Sequence, residues 1–358
     1  MSNRNDKTKE ELLRNLKPPG AYIDSLTNFY DLLGTIRQAE NAANELIDET
    51  APAIPPASVT PTIPTPEAGL ATQATADESP EEKAPTIDEL LERLDKLVGL
   101  DNIKQSVKSL INLVKVRTLR EENNLPNPPL SLHMVFTGNP GTGKTTVARI
   151  LSELYKEIGV LSKGQLIEVD RGGLVAGFVG QTAIKTKEVV DSALGGILFI
   201  DEAYALAPEA YTGNDFGREA IETLLKMMED HRKDLIVIVA GYSEPMERFI
   251  TSNPGLESRF NRYFEFEDYT GEQLNEIFML ICSQSEYVLT DDAKSFVAKH
   301  FELLYEMRDE NFGNARHVRN FFEHIVAIHS DRISALEGHT REDLTTITLE
   351  DLEEALAT

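Results

Sequence analysis

The sequence predicts an α/β fold in which a parallel five-stranded sheet lies between helices and is followed by a small all-α lid. Short apolar runs of strand length alternate with helical stretches across residues 86–268, the pattern of a mostly parallel sheet covered on both faces. Across residues 269–358 the periodicity is helical only. Upstream, we expect a helical N-terminal extension over residues 1–50 and a disordered linker over residues 51–85.

The N-terminal extension carries two short apolar stripes separated by Pro18-Pro19-Gly20. The longer stripe runs from Leu26 to Ile36 and needs a surface to cover it, because a segment of this size buries little by itself. We expect an adaptor or docking module; the alternative is a helix pair that is unstable alone. The linker is rich in Pro, Ala, Thr and acidic residues and has no aromatic residue, so it is predicted to stay extended.

Composition narrows the function classes. The 358-residue chain has a net charge of −25, which disfavours binding to nucleic acid and to anionic membrane surfaces. Cys282 is the only cysteine, which excludes an internal disulfide and a cysteine-based zinc site. No apolar run approaches the roughly 20 residues of a membrane span, and the first residues lack the apolar core of a signal peptide. We therefore expect a cytoplasmic protein without a membrane partner.

Five apolar runs have the length and composition of buried parallel strands. They are His133–Thr137, Leu166–Asp170, Gly196–Ile200, Leu235–Ala240 and Tyr263–Phe266. Two helical stripes in the lid region follow, comprising Leu274, Ile277, Phe278 and Ile281, and then Val318, Phe321, Phe322 and Ile325.

The glycine-rich run Gly138–Thr145 fits G-x-x-x-x-G-K-[ST], the phosphate-binding P-loop. A predicted strand precedes it and a helical pattern follows it, so backbone N–H groups at the helix N-terminus would form an anion cradle. We expect Lys144 to contact the β- and γ-phosphates of a nucleotide and the Thr145 hydroxyl to bind Mg²⁺. The other expected nucleotide contacts are Gly138, Asn139, Pro140, Gly141, Thr142, Gly143 and Thr146.

Two carboxylates, Asp201 and Glu202, end the third predicted strand. A buried strand has no structural need for two acids at its carboxyl end, which is where open α/β sheets bind ligands. We expect Asp201 to hold Mg²⁺, directly or through water, and Glu202 to act as general base on the attacking water. This pair predicts an enzyme that hydrolyses its nucleotide rather than one that only binds it.

Further motifs extend this pattern: Phe178–Thr186, Gly195–Tyr204, Ala240–Tyr242, Ser252–Arg259 and Asn314–Arg316. Together with the P-loop and the helical lid, they resemble the CbbX/SpoVK (CfxQ) family of AAA+ ATPases over about residues 95–330. The motifs are specific as a set and less so individually. The resemblance does not cover residues 1–85.

The resemblance implies that Phe178, Val179 and Gly180 form a pore loop that grips an unfolded protein segment. Relatives usually carry Tyr at the first of these positions, so Phe178 lacks a hydroxyl while keeping the apolar grip. The alternative is an anchor that tucks the loop onto its own domain.

Three arginines are assigned by the same resemblance. Arg259 matches the arginine finger that a neighbouring subunit supplies to the γ-phosphoryl group, and Arg262 is the runner-up or a second contact. Arg316 matches sensor 2, the lid arginine that senses the γ-phosphate. For sensor 1 we expect Tyr242, with Ser243 as the alternative. Val98, Gly99 and Leu100 are expected to lie against the adenine base.

The expected function is that of an ATP-hydrolysing ring, a hexamer of identical chains, that remodels or partly threads an unknown protein client. The alternative is a nucleotide-controlled assembly or signalling scaffold that acts through residues 1–50. A nucleic-acid motor is disfavoured by the net charge of −25.

Overall fold

The computed structural model of the protein describes residues 85–128, 130–178, 180–207 and 216–357. The predicted N-terminal extension and all but the last residue of the predicted linker lie outside the described residues, as does Val179. Residues 85–355 form one compact unit.

Within the described residues, five parallel strands form one sheet in the order β2-β3-β4-β1-β5. The strands are β1 (Met134–Gly138), β2 (Leu166–Val169), β3 (Ile197–Ile200), β4 (Ile236–Gly241) and β5 (Tyr263–Phe266). The predicted parallel α/β fold is therefore confirmed, and every predicted strand boundary lies within one residue of the observed one.

The helices of this α/β domain surround the sheet. They are α1 (Ile87–Asp95), α2 (Asp101–Glu122), α3 (Lys144–Glu157), α4 (Arg171–Leu174), α5 (Gln181–Ala193), α6 (Gly217–Asp230), α7 (Ser243–Thr251) and α8 (Pro254–Arg259), with a 3₁₀ helix at Ala203–Leu206. Helix α1 begins at a capping box in which the Thr86 hydroxyl and the Glu89 carboxylate each bond the other residue's backbone N–H.

The core of the domain lies on the central strands. Strands β3 and β4 are buried along their whole length, as continuous apolar strands covered on both faces must be. Phe136 on β1 packs against Phe199 of β3 and against Phe264 and Phe266 of β5. This packing makes the sheet a rigid platform for the loops that leave its carboxyl edge.

The lid contains helices α9 (Gly271–Gln284), α10 (Asp291–Glu306), α11 (Ala315–Ser334), α12 (Arg341–Thr345) and α13 (Leu349–Ala357). The predicted helical lid is confirmed, and it also contains a short strand pair that the sequence did not indicate, in which β6 (Val288–Leu289) lies parallel to β7 (Thr346–Ile347). Each of these strands is two residues long, too short for an alternating pattern to reveal. The pair ties the C-terminal helices to the turn that follows α9.

Candidate functional site

The P-loop connects the end of β1 to the start of α3. Gly141 adopts a φ of +75°, and a Cβ placed there would lie 2.4 Å from the carbonyl oxygen of Gly313 in the lid. Glycine is therefore required both by the backbone conformation and by the close approach of the lid. The ammonium group of Lys144 donates to the carbonyl oxygens of Gly138 and Asn139, each at 2.8 Å. A cation thus lies inside the loop that the sequence predicts to hold phosphates.

A cavity of about 500 Å³ lies between this loop and the lid. It brings together most of the predicted nucleotide-site residues from both domains, namely Val98, Leu100, Gly138, Pro140, Gly141, Gly143, Lys144, Thr145, Thr146, Asp201, Glu202, Tyr242 and Arg316. Three predicted contacts do not line it. The Asn139 amide points to Asp268, the Thr142 side chain is fully buried, and Gly99 lies against Gln273.

Electrostatics links these groups. Burial lowers the pKa of Lys144 from 10.5 to about 8, and the carboxylates of Asp201, Asp268 and Glu202 oppose that shift. The Arg316 guanidinium lowers the same pKa further, so the lid arginine and the P-loop lysine are close enough to repel each other. Two cations held near one cavity favour a strongly anionic ligand such as a nucleoside triphosphate.

Asp201 and Glu202 follow β3 directly at the carboxyl edge of the sheet. The Asp201 carboxylate accepts a hydrogen bond from the Glu202 N–H at 3.1 Å. Glu202 has a left-handed backbone with φ 47°, an uncommon conformation for a residue with a side chain, and its side chain lines the cavity. The Thr145 hydroxyl and the Asp201 carboxylate are oxygen donors of the kind that Mg²⁺ binds, and both line this cavity.

Tyr242 lines the cavity, and Tyr204 lies beside it without lining the cavity itself. Tyr242 follows β4 and precedes α7, and its ring lies 6.3 Å from that of Tyr204. Burial, together with the nearby Glu202 carboxylate, raises the pKa of Tyr204 to about 12, so its phenol stays protonated. Tyr242 lines the cavity at the place expected of sensor 1; the neighbouring Ser243 does not line it.

Some residues that line the cavity were not predicted from the sequence: Lys96, Leu97, Gly241, Tyr269, Ile277, Leu280, Ala315 and Arg319. Arg319 lies one helical turn after Arg316, and that spacing could have indicated it. Tyr269 gives no local signal, because its hydroxyl donates to the Thr142 carbonyl oxygen across 127 positions of the chain at 3.2 Å.

Arg259 and Arg262 lie at the opposite edge of the sheet. Arg259 ends α8 near His133, the residue before β1, and lines a separate cavity of about 760 Å³. The Arg259 guanidinium lies 3.4 Å from the Glu229 carboxylate. Arg262 donates to the Ser131 carbonyl oxygen at 2.9 Å. Neither arginine lines the P-loop cavity, so neither contacts the nucleotide site of its own chain.

The predicted pore loop connects α4 to α5. Phe178 is 71% exposed, and Gly177 and Gly180 have no atom within 4 Å of the position a Cβ would occupy. Below this open tip, the loop is fixed to α5. Lys185 donates to the carbonyl oxygens of Gly172 and Val175, at 2.6 and 3.1 Å, and Thr186 donates to that of Leu174.

Family comparisons identify the class of protein to which this fold belongs. The family described as "ATPase family associated with various cellular activities (AAA)" matches residues 134–268, and the AAA lid domain matches residues 270–358. The protein is therefore an AAA+ ATPase, a nucleotide-binding enzyme that hydrolyses ATP. No helix among the residues that the structure describes is long and apolar enough to span a membrane.

Individual relatives narrow the class further. A CfxQ homolog from Galdieria sulphuraria is 44% identical, covering 76% of this chain and 89% of the relative. The chloroplastic ribulose bisphosphate carboxylase/oxygenase activase of Cyanidioschyzon merolae is 42% identical over 78% of this chain and 96% of its own length. Stage V sporulation protein K of Bacillus subtilis is 41% identical over 76% and 84%, respectively. The chain belongs to the CbbX/SpoVK (CfxQ) family of AAA+ ATPases.

Proposed function

We propose that this ATPase assembles into a hexameric ring and uses ATP hydrolysis to remodel a protein client by pulling a segment of it through the central pore. The observation that supports threading best is Phe178, an aromatic side chain that is 71% exposed at the tip of an anchored loop. No other large apolar side chain among the described residues is as exposed as Phe178, and its place at the tip of a loop leaves the ring accessible to a partner. An apolar ring grips by contact area, so it suits clients of varied sequence.

The chemistry follows from the positions of the P-loop cavity residues. Lys144 and the loop N–H groups would bind the phosphates, and Thr145 and Asp201 would hold Mg²⁺, which would supply positive charge that offsets the charge of the phosphates. Glu202 orients and deprotonates the attacking water, and Tyr242 hydrogen-bonds it from the end of β4. Val98 and Leu100 pack against the base.

Two arginines complete the site from different places. Arg316 reaches the γ-phosphate from the lid of the same chain. Arg259 lies at the amino edge of the sheet, so the only γ-phosphate it can neutralise is that of a neighbouring chain. Members of the AAA+ family typically form rings, and in such a ring each nucleotide site would be shared by two chains.

A connection between the two activities is visible inside one chain. The Asp201 N–H donates to the Val169 carbonyl oxygen at 2.8 Å, and the Arg171 guanidinium donates to the Ala205 carbonyl oxygen. These bonds join the segment after β3, which carries Glu202, to the residues that begin the pore loop. A shift at the γ-phosphate would therefore be passed to Phe178.

The client itself is left open. The printed names of two relatives concern different settings, an activase of ribulose bisphosphate carboxylase/oxygenase and a sporulation protein. The names of the relatives therefore do not indicate one client for this chain. We propose that the N-terminal extension also contributes to client specificity.

A trapping experiment tests threading. Glu202→Gln is expected to bind ATP without turnover, so a client engaged in the pore should co-purify with it in ATP. Addition of Phe178→Ala should release that client. Leu336→Ala, which removes a lid side chain that is 44% exposed, is the matched control and should retain it. A partner that survives Phe178→Ala but is lost when residues 1–50 are deleted would instead establish the scaffold alternative.

A further inference from the structure

The junction between the α/β domain and the lid contains a compact polar cluster, here called the hinge cluster and made of Asp268, Tyr269 and Asn314. Asp268 and Tyr269 connect β5 to α9, and Asn314 immediately precedes α11. Asn314 is fully buried, and the Asp268 side chain is 20% exposed. Arg316 follows Asn314 by two residues, so the cluster adjoins the first turn of the helix that carries this arginine.

The amide of Asn314 is fully used by this cluster. Its nitrogen donates to the Asp268 carboxylate at 2.7 Å and to the Phe312 carbonyl oxygen at 3.0 Å. Its oxygen accepts from the backbone N–H of Tyr269 at 2.8 Å. A buried amide that satisfies all of these groups would leave several polar atoms unpaired if it were removed.

Asn314 has a strained backbone conformation, which indicates that the contacts of its side chain hold it in place. Its φ is 48° and its ψ is −130°, a region that glycine adopts readily and that costs other residues free energy. An asparagine held in that conformation is maintained by its surroundings. Here the hydrogen bonds to Asp268 and Tyr269 stabilise the conformation.

The same cluster is bonded to the P-loop at two points, and the neighbouring Ala315 adds a third bond. The Asn139 amide donates to both oxygens of Asp268, at 3.0 and 3.2 Å. The Tyr269 hydroxyl donates to the Thr142 carbonyl oxygen at 3.2 Å. The Ala315 N–H donates to the Gly141 carbonyl oxygen, also at 3.2 Å. The bonds to Asp268 explain why the Asn139 side chain faces away from the cavity, while the Thr142 hydroxyl donates to the Asn139 carbonyl oxygen at 2.8 Å.

The geometry points to Asn314 and Asp268 as positioning residues that hold Arg316 over the phosphate site and transmit movement of the P-loop to the lid. This inference rests on the proposed contact of Arg316 with the γ-phosphate. The carboxylate of Asp268 is the shared acceptor: one amide comes from the P-loop and the other from the start of the arginine-bearing helix. Displacement of either amide therefore changes the bond to the other.

Asn314→Gly is the informative substitution, because it removes the amide while relaxing the backbone. We expect kcat for ATP to fall roughly 10- to 100-fold, the order of loss for a displaced catalytic group. ADP affinity should change by less than about threefold, since ADP lacks the phosphate that Arg316 contacts. Asn311→Gly, in the same loop but at an exposed residue, is the matched control and should leave both quantities unchanged.

A double-mutant comparison tests whether the loss of kcat in Asn314→Gly arises through Arg316. If Asn314 acts through Arg316, Asn314→Gly combined with Arg316→Ala should be no slower than Arg316→Ala alone, within about twofold. Losses that multiply would overturn the positioning role while leaving the role of Arg316 intact. An unchanged kcat in Arg316→Ala alone would instead remove the proposed phosphate contact, and the positioning role with it.

A second variant keeps the test independent of folding. Asp268→Asn preserves the size of the side chain that accepts both amide hydrogen bonds. One of the two carboxylate oxygens becomes an NH₂ group, however, and this donor would face the NH₂ donor of a neighbouring asparagine. The same selective loss of kcat, again non-additive with Arg316→Ala, is expected in the full-length protein. A normal kcat in Asp268→Asn, with an unchanged unfolding temperature, would contradict the inference.

Discussion

At the scale of a residue, Lys144 has an unusually low pKa for a lysine. Burial brings its pKa down from 10.5 to about 8, while its ammonium group bonds two P-loop carbonyl oxygens. The phosphates of ATP would favour the charged form and raise this pKa again. At a pH above about 8, Lys144 is therefore more often deprotonated in the free protein than in the nucleotide complex, so nucleotide binding should be accompanied by proton uptake.

We predict net proton uptake on ATP binding at about pH 9 and almost none at about pH 6.5, where Lys144 is already protonated. Titration calorimetry in buffers of different ionisation enthalpy measures this number. Lys144→Arg keeps a charge that does not titrate and should abolish the uptake in whatever binding remains. Uptake that persists in Lys144→Arg would assign the proton to another group. Lys144→Ala should lose nucleotide binding.

At the scale of an element, helix α5 determines how firmly the pore loop is held. Lys185 donates to the carbonyl oxygens of Gly172 in α4 and Val175 in the loop, and Thr186 donates to that of Leu174 at the end of α4. Both belong to the motif on which the family resemblance rests, so part of that motif is explained by support of the loop.

Lys185→Met should therefore loosen the loop without altering the P-loop cavity. Loss of two hydrogen bonds, both from a charged donor, should lower the free energy of local opening by about 1–3 kcal/mol. Cleavage by chymotrypsin after Phe178 should then accelerate roughly tenfold. Lys187→Met alters an exposed lysine on the same helix and serves as the control. Equal cleavage rates in the two variants would show that α5 does not restrain the loop.

Local patterns predicted the elements better than the contacts between them. Apolar runs located the sheet strands to within a residue, and β5 has the predicted bounds Tyr263–Phe266. The P-loop and the Asp201-Glu202 pair were found for the same reason, since their chemistry lies in consecutive residues. The bond between Asn314 and Asp268 joins positions 46 apart, and β6 pairs with β7 across most of the lid. Such contacts leave no local period to detect.

At the scale of the whole molecule, the two halves of the proposed catalytic site lie at opposite edges of the sheet. Glu202 follows β3 at the carboxyl edge, while Arg259 ends α8 beside the start of β1. Glu229 neutralises Arg259 within the single chain. A chain alone is therefore expected to hydrolyse ATP poorly, and association should increase the activity per chain.

Mixing two inactive variants tests this arrangement. Arg259→Ala should bind ATP but hydrolyse it about 10³- to 10⁵-fold more slowly, the range for arginine fingers. Mixed with Glu202→Gln, it should regain activity, because an intact Glu202 on one chain meets an intact Arg259 on another. ATPase rates across mixing ratios measure the effect. Arg232→Ala, in the same cavity, should remain active alone. Absence of rescue at every ratio would exclude a finger supplied by a neighbour.

The separation of Arg259 from the nucleotide cavity of its own chain also has a genetic consequence. A faulty Glu202 disables the chain that carries it, whereas a faulty Arg259 leaves its own chain competent and disables the next one. In a cell that makes both normal and altered chains, the two substitutions would therefore inactivate different active sites. An altered Arg259 would inactivate the active sites of normal neighbouring chains, so the allele that encodes it would act as a dominant negative.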